Sequence, residues 1–282
     1  MTFHRISCAW AFTIALSGVA TAAGASPVLY SVQSNGDDHL YSIDAATGVA
    51  TDLGRLAFDD AEGLAFAGST LYAIGGSTHE LWNITTPPGV LVGATGTRNG
   101  IDAGLDFDER SGTMYNFNGG RGSSNQGSSS LYTVNLATGA ATLVGSNGVY
   151  GDGFAVGPTG SAYAIDGNFT DSLYGIDLLT GAASLIGNLG LGNISVQFGL
   201  TFGDDGALYG LDFNGSLYRL NTSTGAATLV ATTTCGGNVC GGWEGLAAQQ
   251  GPAGVPEPGS LALAMLGLGL AGAATRRRAA AR

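Results

Sequence analysis

The 282-residue sequence predicts an all-β fold, a five-bladed β-propeller of four-stranded antiparallel blades, on three observations. The first is composition: 49 glycines and a charged fraction of 11% accompany a hydrophobic fraction of 44%. Glycine costs about 1 kcal/mol in a helix interior relative to alanine, so this chain reads as short strands joined by tight turns. The second is a two-part unit that recurs along residues 39–231. The third is a segment near residue 245 that supplies the one strand the first unit lacks.

Residues 1–25, MTFHRISCAWAFTIALSGVATAAGA, combine Arg5, an apolar run over 6–19 and the small residues Ala20, Ala22, Ala23 and Ala25. That pattern predicts a cleavable signal peptide, taken by the Sec machinery and cut by signal peptidase after Ala23 or Ala25. The apolar run is shorter than the roughly 20 residues of a spanning helix.

The repeat begins next. HLYSIDAATGVATDLG (39–54), SLYTVNLATGAATLVG (130–145), SLYGIDLLTGAASLIG (172–187) and SLYRLNTSTGAATLVA (216–231) are one unit, and ELWNITTPPGVLVG (80–93) is a shortened copy. Their Leu-aromatic pairs start at Leu40, Leu81, Leu131, Leu173 and Leu217, at spacings of 41, 50, 42 and 44. Between them lies a second unit: EGLAFAGSTLYAIGG (62–76), AGLDFDERSGTMYNFNG (103–119), DGFAVGPTGSAYAIDG (152–167) and FGLTFGDDGALYGLDFNG (198–215). Apolar and polar residues alternate with period 2, the signature of strands with one buried face. The break D/N-x-x-T-G at 44–48, 135–139, 177–181 and 221–225 predicts a hairpin turn. Its Asp or Asn bonds the backbone two residues on, and its Gly takes the positive φ that the turn requires.

Residues 62–231 hold four complete blades, whereas 28–54 hold three strands. WEGLAA (243–248) repeats the EGLAF opening, so pairing it with the N-terminal strands completes a fifth blade and leaves neither terminus as an open edge. The propeller domain is therefore 28–248, with 119–130 read as a flexible loop on its RGSSNQGSSS composition. Cys8 leaves with the signal peptide, and the remaining pair, Cys235 and Cys240, predicts a small-loop disulfide in an oxidising compartment. Zinc would need further ligands, and His39 and His79 stand at no ligand spacing.

After a linker at 249–254, residues 255–282 read VPEPGSLALAMLGLGLAGAATRRRAAAR. Pro256 and Pro258 flank Glu257 in an extended segment, 259–275 is uncharged and long enough for a short transmembrane helix, and Arg276, Arg277 and Arg278 form a positive stop on the cytoplasmic side. This end resembles the PEP-CTERM sorting signal of Gram-negative bacteria that make exopolysaccharide. The resemblance implies a transient inner-membrane intermediate, recognition by an exosortase, removal of the tail, and delivery to the cell surface or extracellular matrix. The LYxIDxxTGxATLVG repeats over 28–248 resemble those of secreted bacterial propeller-type proteins, which implies a fold but no established activity. A plain C-terminal membrane anchor is the alternative, and it too puts the body outside the cytoplasm.

Charge narrows the function. The formal net charge is -11 with no lysine, the wrong sign for a nucleic-acid partner. Without residues 1–23 and 255–282 the body keeps 5 arginines against 20 acids, a net charge of -15. Aligned on the shared glycine of the second unit, Glu62, Asp152 and Glu244 stand directly before it, Asp102 stands one residue earlier, and Gln197 occupies that place in another blade. In a propeller these positions ring the mouth of the central channel. Such a ring suits Ca²⁺ or another ligand, or paired carboxylates for glycoside chemistry; the plainer reading is a solvated, soluble surface. Asp59-Asp60, Asp106-Phe107-Asp108-Glu109 and Asp204-Asp205-Gly206 read as turns. Tyr41, Trp82, Tyr132, Tyr174 and Tyr218 recur at one position and read as packing between blades. No G-x-S-x-G elbow occurs, and the GxG patterns lack a following helix. The function expected is a non-catalytic binding or structural role in an exopolysaccharide layer, with a polysaccharide-acting hydrolase or lyase as the alternative.

Overall fold

A computed structural model describes residues 26–34, 37–97, 101–119, 129–166, 170–192 and 197–250, with the backbone alone at 101–103. The predicted signal peptide, the sorting segment and most of the 119–130 loop lie outside the described residues. Among the described residues every regular element is a strand.

The chain opens with β1 (Val28–Ser34), β2 (Asp38–Asp44) and β3 (Val49–Arg55). Four complete meanders follow: β4 (Ala61–Ala67), β5 (Thr70–Gly75), β6 (Glu80–Asn83) and β7 (Val90–Ala94); β8 (Ile101–Asp108), β9 (Thr113–Gly119), β10 (Ser130–Val134) and β11 (Ala141–Ser146); β12 (Phe154–Val156), β13 (Ala162–Asp166), β14 (Ser172–Ile176) and β15 (Ala183–Asn188); β16 (Phe198–Phe202), β17 (Leu208–Asp212), β18 (Ser216–Leu220) and β19 (Ala227–Thr232). A short hairpin, β20 (Thr234–Cys235) and β21 (Asn238–Val239), leads into β22 (Trp243–Ala248). Each meander is its own four-stranded antiparallel sheet. β22 pairs antiparallel with β1, from Leu29 opposite Ala248 to Gln33 opposite Trp243, and so completes the first blade.

The core lies between blades. Val32 and Leu40 pack on Leu64 and Leu71; Ile74 and Leu81 on Leu105 and Met114; Phe117 and Leu131 on Phe154 and Ala164; Ile165 and Leu173 on Phe198 and Leu200; Leu211 and Leu217 on Leu29 and Trp243. Five such layers join the blades in a closed cycle of five. The inner strands β22, β4, β8, β12 and β16 neighbour one another around the axis. Both their faces are covered, which is why GLAFA and FGLTF read as nearly continuous apolar runs.

Two glycine positions make this close packing work. The inner-strand glycine faces the next inner strand: a Cβ on Gly199 would lie 2.4 Å from the Gly245 carbonyl carbon, and one on Gly104 would lie 2.6 Å from the Phe154 Cβ. The turn glycine is needed twice over. Gly139 has φ +77°, and a Cβ there would also sit 2.4 Å from the Gly93 oxygen of the preceding blade. The rest of the turn is as its sequence predicts: the Asn135 side chain accepts from the N–H groups of Ala137 and Thr138, and Asp44, Asp177 and Asn221 do the same in their blades. Every blade also carries a bulge between its third and fourth strands, at Leu40/Tyr41, Leu81/Trp82, Leu131/Tyr132, Leu173/Tyr174 and Leu217/Tyr218.

Two expectations change. The first blade has six strands rather than four, because β20 adds parallel to β3 and β21 pairs with β20. Cys235 and Cys240 are joined by a disulfide across that hairpin, with their Cα atoms 5.7 Å apart. Asp106 is no turn residue: it lies inside β8 and is buried.

Candidate functional site

The inner strands all start at one end of the channel, and the residues before their glycines meet there. Glu62, Asp152, Gln197 and Glu244, with Phe198 and Gly245, line a single small cavity. Hydrogen bonds at the strand starts fix the backbone beneath it. The Ser31 hydroxyl donates to the Gly245 carbonyl at 2.8 Å, the Asp152 N–H donates to Ile165 at 2.9 Å, and the Phe213 N–H donates to Gln197 at 2.9 Å. Glu62 and Asp152 keep only 8% and 7% of their surface exposed, so these acids are drawn inward and are not solvated loop residues. Asp102 lies in β8, and its side chain is outside the described residues.

The cavity gives the centre of a water-sized sphere about 10 Å³, enough for one water or one small ion. A sugar ring does not fit. Although three carboxylates border the same space, no three His, Cys, Asp or Glu side chains among the described residues stand together as a ready set of metal ligands. The mouth is thus a narrow acidic constriction with no preformed coordination sphere.

A second concavity of about 450 Å³ lies at the opposite face, where the fifth blade meets the start of the first; Pro27, Ala45, Ala46, Asp205, Tyr209 and Arg219 line it. Arg219 pairs with Asp205 at 2.7 Å and lies 5.5 Å over the Tyr209 ring, whose hydroxyl donates to the same carboxylate at 3.0 Å. Burial and the neighbouring Asp205 push the Tyr209 phenol up to about 12. Sequence reading missed this cluster. Its one signal is that Arg219 is the sole charge at a position held by Ser42, Asn83, Thr133 and Gly175 in the other blades.

Of the recurring aromatics, Tyr41 meets Trp243 edge-on at 5.2 Å, Trp82 stacks on Phe58 at 4.5 Å, and Tyr218 contacts Phe198. Pro256, Glu257, Pro258, Arg276, Arg277 and Arg278 lie outside the described residues.

Residues 254–278 match the PEP-CTERM protein-sorting motif. The chain therefore carries an exosortase sorting signal, which makes an exosortase its processing partner and the cell envelope or surface its destination. None of the curated proteins matches it. Among solved structures, the nidogen/laminin complex superposes with a TM-score of 0.50 at 13% identity, over 76% of this chain and 78% of the other; that likeness shows the fold alone. A structural-genomics protein of unknown function from Bacteroides thetaiotaomicron gives a TM-score of 0.45 at 16% identity over 69% of this chain, which spans 56% of that protein. An auxiliary nutrient binding protein from the same organism gives 0.47 at 15% identity, over 63% of this chain and 43% of the other.

Proposed function

We propose that this is an exported, exosortase-processed surface or matrix propeller with a non-catalytic binding or structural role in an exopolysaccharide layer. One observation supports it most: the sorting motif is joined to a closed ring whose converging carboxylates border a space too small for a sugar ring. Glycoside chemistry needs two carboxyl groups on either side of a bound sugar, at least about 5 Å apart with the ring between them. A constriction of this size instead suits contact with the hydroxyl groups of a polymer passing over it, or one cation shared between mouth and polymer. Ca²⁺ is the natural ion for an all-oxygen set, though Glu62, Asp152 and Glu244 would have to draw inward around it.

The test is co-sedimentation of the processed protein with the producing cell's own exopolysaccharide, in Ca²⁺ and in chelator. We expect the protein to pellet with the polymer and leave its length unchanged. Replacing Glu62, Asp152 and Glu244 together by Gln, Asn and Gln should weaken pelleting if the mouth is the contact. Shortened polymer would favour the enzyme, and a chelator without effect would remove the cation.

A further inference from the structure

Both ends of the described chain leave the ring on one face, and the acidic mouth is on the other. β22 starts at the mouth with Trp243 and Glu244 and finishes at Ala248; Gln249 and Gln250 continue beyond it, donating from their side-chain amides to Gly68 and Val156. Gly68 lies in the β4–β5 turn and Val156 ends β12, so both mark the far ends of inner strands. β1 starts beside the end of β22, and the Pro27 carbonyl accepts from Ala45 in the first D/N-x-x-T-G turn. This tail face also carries the other D/N-x-x-T-G turns and Asp108, Glu109, Asp204 and Asp205, against Arg110 and Arg219.

We infer that while the sorting tail is held in the inner membrane, the tail face lies against the bilayer and the acidic mouth points away from it, open to a polymer before the tail is cut. The inference rests on the tail acting as the sorting signal. Chain length excludes the reverse orientation. Nine residue steps separate Gln250 from Gly259, where the uncharged span begins; at full extension they reach about 30 Å. To lay the mouth on the membrane, that linker must run from the axis past a blade of four strands spaced about 4.8 Å apart. It must then climb about 20 Å of strand, a path longer than about 34 Å. It falls short. The tail face is itself mostly acidic, so anionic lipids do not hold the body once the tail is removed.

The experiment uses the full chain in membranes from cells that lack the exosortase, with the photocrosslinking residue p-benzoylphenylalanine at Ser223, on the tail face, or at Asn214, on the mouth face; both positions are exposed. Lipid adducts are expected at 223 and none above background at 214. A long Gly-Ser insert after Gln250 should let adducts appear at 214. Adducts at 214 equal to those at 223 without the insert overturn the orientation, as do adducts at neither position in chains that resist carbonate extraction. Chains that carbonate extracts are not inserted, an outcome that sinks the sorting reading and the orientation with it.

Discussion

Four of the five inner strands place a small residue two positions after the shared glycine-leading start, Ala65, Ala155, Thr201 or Ala247, and the third blade places Asp106 there. Its carboxylate accepts from the Val156 N–H of the next blade at 2.6 Å and from the Phe107 N–H at 2.8 Å, and burial pushes its pKa up to about 7. The sign follows from linkage. A folded-state pKa above the unfolded value means that the fold holds a proton which the unfolded chain releases, so this contribution is present at about pH 4 and lost as pH rises through 7. Three pKa units correspond to about 4 kcal/mol as an upper bound. Asp106→Asn, which keeps an acceptor for Val156, should melt like the native protein at pH 4 and several degrees higher at pH 8; an unchanged pH slope in thermal melts would refute the assignment. Asp38, raised by burial while accepting from Ala61, leaves a residual slope of the same sign. Sequence alone hid Asp106 because DFDE reads as turn chemistry, whereas the alignment with Ala65 and Ala155 was the signal that it belongs inside a strand. Glu62, Asp152 and Glu244 were legible because a repeated neighbour, the glycine, put them in register.

At the scale of elements, the D/N-x-x-T-G turn and the period-2 strands were legible because each rests on contacts within a few residues. The β20–β21 hairpin was not, since its pairing with β3 joins residues about 185 positions apart, Thr234 to Val49. Its role follows from where it sits. β7, β11, β15 and β19 are outer strands with no charged residue, and each leaves a leucine, Leu91, Leu143, Leu185 or Leu229, exposed. β3 is the outer strand of the one blade assembled from both ends of the chain, and the hairpin covers its edge. The Thr233 hydroxyl and the Cys240 carbonyl both accept from the Trp243 indole, at 2.8 and 3.1 Å, so the hairpin also holds the first residue of β22. Closing so small a loop with a disulfide stabilises by about 2 kcal/mol through the unfolded chain. Cys235→Ser with Cys240→Ser should lower urea stability by about that amount. The same loss should follow reduction of the native protein, and a protein indifferent to reductant would show that the hairpin holds without its bridge.

At the scale of the whole molecule, closure of the ring is decisive. Five interblade layers hold the ring, and each depends on its neighbours, so the first blade is the place where a linear chain must be joined to become a cycle. The sequence announced this joint through WEGLAA, because one strand of the pattern is left over at the C-terminal end and three at the N-terminal end. It could not announce that the groove of Arg219, Asp205 and Tyr209 forms at the same joint, since Pro27 and Ala45 arrive there only after closure. In the native chain, β22 pairs with β1 across more than 200 residues, and neither terminal blade can peel away without breaking this pairing. The ends that would be linked are adjacent, Leu29 opposite Ala248. A circular permutant that joins Gln250 to Pro27 through a few glycines and opens between Leu56 and Ala61 therefore builds every blade from consecutive chain. Such a permutant should fold to the same circular dichroism spectrum, because every contact in the ring survives. Its first and last blades, however, would meet through side-chain packing and the Ala61 N–H to Asp38 hydrogen bond but no strand pairing, an interface that can open without breaking a strand pair. Unfolding in denaturant should then be faster than in the native chain while folding changes little, since the closing contact is made late. If the permutant unfolds no faster, the two-ended blade is a mere accident of where the chain starts, and the stability of the ring rests on its five apolar layers alone.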